Sequence, residues 1–179
     1  MATSSATMLK EEGLRLFEEG AYAEAYECFE QARDAFAEVG ETLLAAEMLN
    51  NMGVIDRLEG RYQAAIQALE GARAAFTQAG DRSREAQALG NLGGLYTARG
   101  QEDEAETCYR RAIDAFNQLG DKDREGETLM ALGLLLFKRG RKAEGLVAYE
   151  AGVQLVEKPT PRQKRVRQLL KLRKFLTGG

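Results

Sequence analysis

The chain of 179 residues contains no histidine, so it lacks both the commonest general base and the commonest metal ligand. Acids are plentiful, and Glu102-Asp103-Glu104 is a dense example. No histidine or cysteine joins that run, and it stands at the start of a predicted helix, where the helix dipole already favours negative charge. The cluster Gly90-Asn91-Leu92-Gly93-Gly94 suggests a phosphate loop, but no Lys-Ser or Lys-Thr follows it and it falls inside a predicted helix. The sequence therefore predicts no catalytic residues, no metal site, no cofactor and no enzyme. What remains is binding chemistry. Asn51 and Asn91 are forty residues apart, and each amide presents a donor and an acceptor that can pair with a peptide backbone whatever its sequence.

The elements that position these amides follow from the glycines. Gly13, Gly53, Gly93 and Gly133 recur every 40 residues, as do Gly20, Gly60, Gly100 and Gly140, and Gly40, Gly80 and Gly120, so eleven of the 19 glycines are in phase. That is the signature of a tandem array. Within one period, Met48, Leu49, Met52 and Leu58 recur at helical spacing between Ala46 and Glu59, and so do Tyr62, Ala65, Ile66, Leu69 and Phe76 between Tyr62 and Ala79. Gly60 and Gly80 read as helix stops, and Asp81 and Asp121 as N-caps of the helices that follow. Each period is thus a helical hairpin, which must stack on its neighbours to cover its apolar face. Gly53, Gly93 and Gly133 lie mid-helix at a cost of roughly 1 kcal/mol each, which predicts close approach of two helix backbones there. The small residues Ala25, Ala65 and Ala105, and Ala32, Ala72 and Ala112, face them, with Phe29, Leu69, Tyr109 and Tyr149 as the large knobs. Gly145 and Gly152 replace the alanines in the fourth period, predicting that its second helix is the least stable.

This pattern resembles the tetratricopeptide repeats. The resemblance rests on Leu49-x-x-Met52-Gly53, Ala65, Leu69 and Ala72, and on Leu89-x-x-Leu92-Gly93-x-x-Tyr96, Ala105, Tyr109 and Ala112, and covers about residues 6–157. The 40-residue period is similar to the longer variety of kinesin light chains, spindle-orientation adaptors and bacterial peptide-sensing regulators. The resemblance implies an all-α, right-handed superhelical solenoid of four helix-turn-helix repeats (6–45, 46–85, 86–125 and 126–157). Residues 1–5 are expected to be disordered. Beyond Pro159 and Pro161, the helical spacing of Val166, Leu169, Leu170, Leu172 and Leu176 predicts a basic capping helix and tail at 158–179. Asp56 departs from the pattern by replacing a large apolar residue.

In the family, first helices line a concave groove that holds peptides. Carried onto this sequence, the groove comprises Lys10, Leu14 and Phe17; Asn50, Asn51, Val54 and Arg57, with Leu58; Gln87, Asn91, Gly94 and Thr97; and Glu127, Met130 and Leu134, with Phe137. Leu134 and Phe137 have a second reading, burial under the terminal helix. The family's two-carboxylate clamp for acidic C-terminal peptides is matched by Lys10 and Asn51 alone. Leu14, Gln87 and Asn91 replace its Asn, Lys and Arg, so that specificity is not expected.

Charge is uneven. Residues 1–157 carry 17 basic and 28 acidic side chains, whereas residues 158–179 carry eight basic and no acidic ones. A protein or peptide in the groove is the expected partner. Docking of nucleic acid or another polyanion on the basic helix is the alternative; aromatics there are limited to Phe175, which disfavours single-stranded nucleic acid. Self-assembly as a homo-oligomer through stacked ends is the third reading. Cys28 and Cys108 share a repeat phase roughly 20 Å apart in such a stack, beyond the reach of a disulfide at about 7 Å. With no signal peptide and no apolar run of about 18 residues, a reducing cytoplasmic location is expected.

Overall fold

The computed structural model describes residues 2–157 and 159–177, with the side chains of 2, 3, 162 and 171–177 left aside. Among the described residues there are nine α-helices and no strand: α1 (Ala2–Glu19), α2 (Tyr22–Glu38), α3 (Thr42–Leu58), α4 (Tyr62–Ala79), α5 (Arg82–Ala98), α6 (Glu102–Leu119), α7 (Lys122–Lys138), α8 (Lys142–Leu155) and α9 (Pro161–Thr177). The all-α repeat class expected from the glycine phase is the one observed. Boundaries differ in two respects. Helix α1 begins at Ala2, where the sequence reading places a disordered stretch through residue 5; Ala6 is fully buried and anchors the turn before it. Helices α3, α5 and α7 open four residues ahead of Ala46, Ala86 and Gly126, the small residues at which the repeats begin by sequence.

The chain forms two compact blocks, residues up to Arg99 and from Gly100 onward. In the first, α2 buries Ala25, Phe29, Ala32 and Phe36, and α4 buries Ala65, Leu69, Ala72 and Phe76, one stripe at helical spacing in each. The α2 stripe meets Met48, Met52 and Ile55 of α3. In the second block α6 repeats the stripe with Ala105, Tyr109, Ala112 and Phe116. Fully burying each Phe or Leu of these stripes contributes about 1.5–3 kcal/mol.

Turns and caps follow the expected chemistry. Gly80 and Gly120 end α4 and α6 with φ of 71° and 72°, a conformation that a Cβ penalises. The Asp81 carboxylate then accepts a hydrogen bond from the backbone N–H of Arg84, and Asp121 does the same for Arg124. The first of these bonds, helped by the Arg84 side chain and opposed by partial burial, holds the Asp81 carboxyl below its ordinary range.

The mid-helix glycines act in two ways. A Cβ on Gly13 would lie 2.7 Å from the Phe29 ring, and one on Gly53 would lie 2.8 Å from Leu69 Cγ, so at these sites glycine receives a side-chain knob, not a backbone. The predicted backbone contact occurs in the fourth repeat. A Cβ on Gly133 would lie 2.6 Å from the Gly145 carbonyl oxygen, and one on Gly152 would lie 2.4 Å from that of Gly126. Gly126 and Gly133 in α7 thus pair with Gly152 and Gly145 in antiparallel α8. The glycines of α8 are contact surface, which gives them a role other than the weakness read from the sequence.

The α8–α9 junction breaks the repeat. No glycine stands at the turn, and Val156 leaves the helix extended with ψ 118°. Arg167 of α9 donates instead to the carbonyls of Val153 (2.7 Å), Gln154 and Val156, closing the end of α8. Thr160 and Gln163 form a reciprocal capping box at the start of α9. Val166 packs beside Met130, Val153 and Val156.

Candidate functional site

In the first block, α1, α3 and α5 bring one face each to a common surface, with positions 7, 10, 11, 14 and 17 of the 40-residue period represented. Leu14 and Phe17 from α1, Asn50, Asn51 and Val54 from α3, and Gln87 and Asn91 from α5 border a single cavity of about 200 Å³, with Phe29 of α2 as its eighth lining residue. Phe29 reaches the cavity because Gly13 leaves room for its ring on α1. Phe17 is steadied by Tyr22, ring centroids 5.5 Å apart. The lining is apolar on the α1 side and amide-rich along α3 and α5.

The amides play different parts. Asn50 is 3% exposed, and its side-chain oxygen accepts a hydrogen bond from Asn91 Nδ2 at 3.1 Å, tying α3 to α5. Asn91 is therefore partly spent on structure, against the expectation that Asn51 and Asn91 act as an equivalent pair. The side chains of half-buried Asn51 and exposed Gln87 make no hydrogen bond to the described residues, so their donors and acceptors face the cavity unengaged.

Charges at the N-terminal side of the cavity compensate one another. Lys10 Nζ lies 2.5 Å from Glu47, which also meets Arg84 at 3.1 Å, and Arg84 pairs with Asp81 at 2.7 Å. Lys10, expected in the groove as a binding cation, is committed to this ladder. Arg57, one turn beyond Val54 on α3, shares a phase with Phe17 and Thr97. It is half-buried, and its Nε is fully covered and meets no acceptor. Thr97 donates its hydroxyl to the Gly93 carbonyl at 2.8 Å. Gly94 is half-buried and leaves its phase of the wall without a side chain.

The fourth-repeat candidates lie in the second block and are dispersed. Glu127 is exposed, whereas Met130 is 9% exposed and belongs to the cluster under α9. Leu134 and Phe137 are 62% and 52% exposed. The reading that the terminal helix buries them is corrected: α9 meets α8 through Val166 and Arg167, and the missing glycine turn sets its approach. Of the basic terminal residues, Lys158 and the side chains of Arg162, Lys171, Arg173 and Lys174, with Phe175, lie outside the described residues. Sequence reasoning missed Phe29 as a lining residue and Arg167 as a helix cap. The Thr160-x-x-Gln163 pattern was a visible signal of the α9 start.

The tetratricopeptide repeat profile matches residues 4–78 and again 84–158, and the chain belongs to this family of protein-interaction scaffolds, whose members are typically non-catalytic. Among solved structures it is similar to BtubC (BKLC) from P. vanneervenii, with 20% identity and a TM-score of 0.72 over 87% of this chain and 66% of that one. It is also similar to MamA, with 19% identity and a TM-score of 0.58 over 90% of this chain and 81% of that one. This chain therefore spans just under two thirds of the BtubC length. These likenesses establish the fold. No functionally curated protein matches the chain. No helix among the described residues is long and apolar enough to cross a membrane.

Proposed function

We propose that the protein is a non-catalytic interaction module that holds an extended peptide or a partner's helix against α1, α3 and α5, with one apolar side chain of the ligand in the Leu14–Phe17–Phe29–Val54 cavity. What carries this reading is the convergence of seven side chains from three helices on one cavity, two pairs of them, Leu14 with Val54 and Asn51 with Asn91, one repeat apart. About 200 Å³ falls below the 300–1,000 Å³ typical of small-molecule sites and suits a single Leu or Phe anchor. Asn51 and Gln87 then bond the ligand backbone.

The test is selection of short randomised peptides on the full chain, followed by affinity measurement on two variants. Leu14→Asp places a charge at the cavity mouth and is expected to weaken binding at least about tenfold, the effect of roughly 1.4 kcal/mol, with an unchanged melting temperature. Lys164→Glu, on exposed α9, is expected to bind as wild type. The reverse ranking would move the function to the basic helix. That second reading is favoured by Lys164 and Arg165, which are exposed and meet no carboxylate among the described residues; such binding would fall steeply with salt.

A further inference from the structure

We infer that the peptide held in this cavity carries a carboxylate beside its apolar anchor, and that Arg57 receives it. The inference rests on the groove reading and adds the charge of the ligand to it. The eight residues bordering the cavity carry no formal charge, and the ladder on its N-terminal side pairs each cation with an acid: Lys10 with Glu47, and Arg84 with Glu47 and Asp81. Arg57 stands apart from that balance. Its side chain makes no hydrogen bond or ion pair with the described residues, and its Nε is shielded from solvent without an acceptor. By contrast, the next arginine along the chain, Arg61, is bonded at Nε to the buried Asp56 carboxylate at 2.7 Å and also pairs with Glu59.

A covered guanidinium N–H with no partner is unfavourable, and a bound carboxylate would relieve it through a charge-assisted bond. Position fits the same purpose. Arg57 lies three residues beyond Val54, so the two side chains are neighbours on one helix face. Its repeat-phase counterpart on α1 is Phe17, which lines the cavity. A ligand residue adjacent to the anchor would therefore reach it. None of the five positions of the two-carboxylate clamp coincides with Arg57.

The experiment uses a pool of short peptides with Leu or Phe fixed at one position and all others randomised, selected on the full-length wild type and on Arg57→Gln, Arg57→Lys and Leu14→Asp. Asp and Glu are expected to be enriched about five- to tenfold at one position next to the anchor, the effect of about 1–1.4 kcal/mol. Arg57→Gln should still recover anchored peptides without that enrichment, and Arg57→Lys should restore most of it. Anchored peptides recovered by wild type without acidic preference overturn this inference and leave the groove reading standing. The same preference in wild type and Arg57→Gln does likewise. Equal recovery by wild type and Leu14→Asp, or no recovery by wild type, overturns both. Should Arg57→Gln fail to fold, the wild-type enrichment decides.

Discussion

At the scale of single residues, the amides and the caps separate binding from folding. Asn91 holds the buried oxygen of Asn50, so Asn91→Ala is expected to destabilise the chain by about 1–3 kcal/mol through an orphaned polar group. Asn51→Ala, which removes an unengaged side chain, should leave urea midpoints unchanged while weakening peptide binding. A double variant therefore confounds the two effects, and the single variants resolve them. The sequence placed both asparagines at one phase but could not reveal that the neighbouring Asn50 had already claimed one of them. That pairing depends on how far apart α3 and α5 lie, which spacing within either helix does not fix. Asp81 permits a pH test. Its folded carboxyl is held below its ordinary range, so its charge stabilises above the unfolded value of about 3.9 and the benefit disappears as pH falls through the folded value. Asp81→Asn retains an N-cap acceptor but no charge. Urea denaturation should show wild type more stable at neutral pH and the two converging in acid; a constant gap would contradict the assignment.

At the scale of helices, the glycines show what periodicity can and cannot tell. Their phase located the turns from Gly20 to Gly140 and the close approach in the fourth repeat, yet the sequence did not distinguish a glycine that admits Phe29 or Leu69 from one that touches backbone. Facing residues decide that, and in α8 the facing residues are themselves glycines. Gly145→Ala and Gly152→Ala are expected to destabilise the chain by about 1–3 kcal/mol through overpacking, because the atoms met at 2.6 Å and 2.4 Å are carbonyl oxygens of α7. Gly71→Ala is the contrast. Its Cβ would meet only the flexible end of Leu49 at 3.3 Å, so the gain in helix propensity, about 0.5–1 kcal/mol, should raise the melting temperature. The end of α8 was less legible, because the Arg167 cap crosses from one helix to the next. Arg167→Ala should cost about 1.5–3 kcal/mol, the range for hydrogen bonds to a charged group, as read by thermal unfolding.

At the scale of the whole molecule, the ends and the groove answer different needs. Helix α1 carries Glu12 and Arg15 at the phases where α3 buries Met52 and Ile55, and Arg15 pairs with Glu12 and Glu19 at 2.5 Å each. A charged face at these phases disfavours stacking of a second copy against α1, so sedimentation across a concentration series should return a monomer. The repeat class and most of the cavity lining were legible because phase is a property of sequence. The fate of Lys10, Met130 and Leu134 was not, because an ion pair to Glu47 and the placement of α9 are tertiary facts. The central claim is that ligand occupies the α1–α3–α5 cavity. Titrating a selected peptide into isotopically labelled full-length protein and following amide and methyl resonances tests it most directly. The account predicts shifts concentrated at Leu14, Asn51, Val54 and Gln87 with Lys164 to Leu170 unmoved; shifts confined to α9, or spread without a maximum at the cavity, would contradict it.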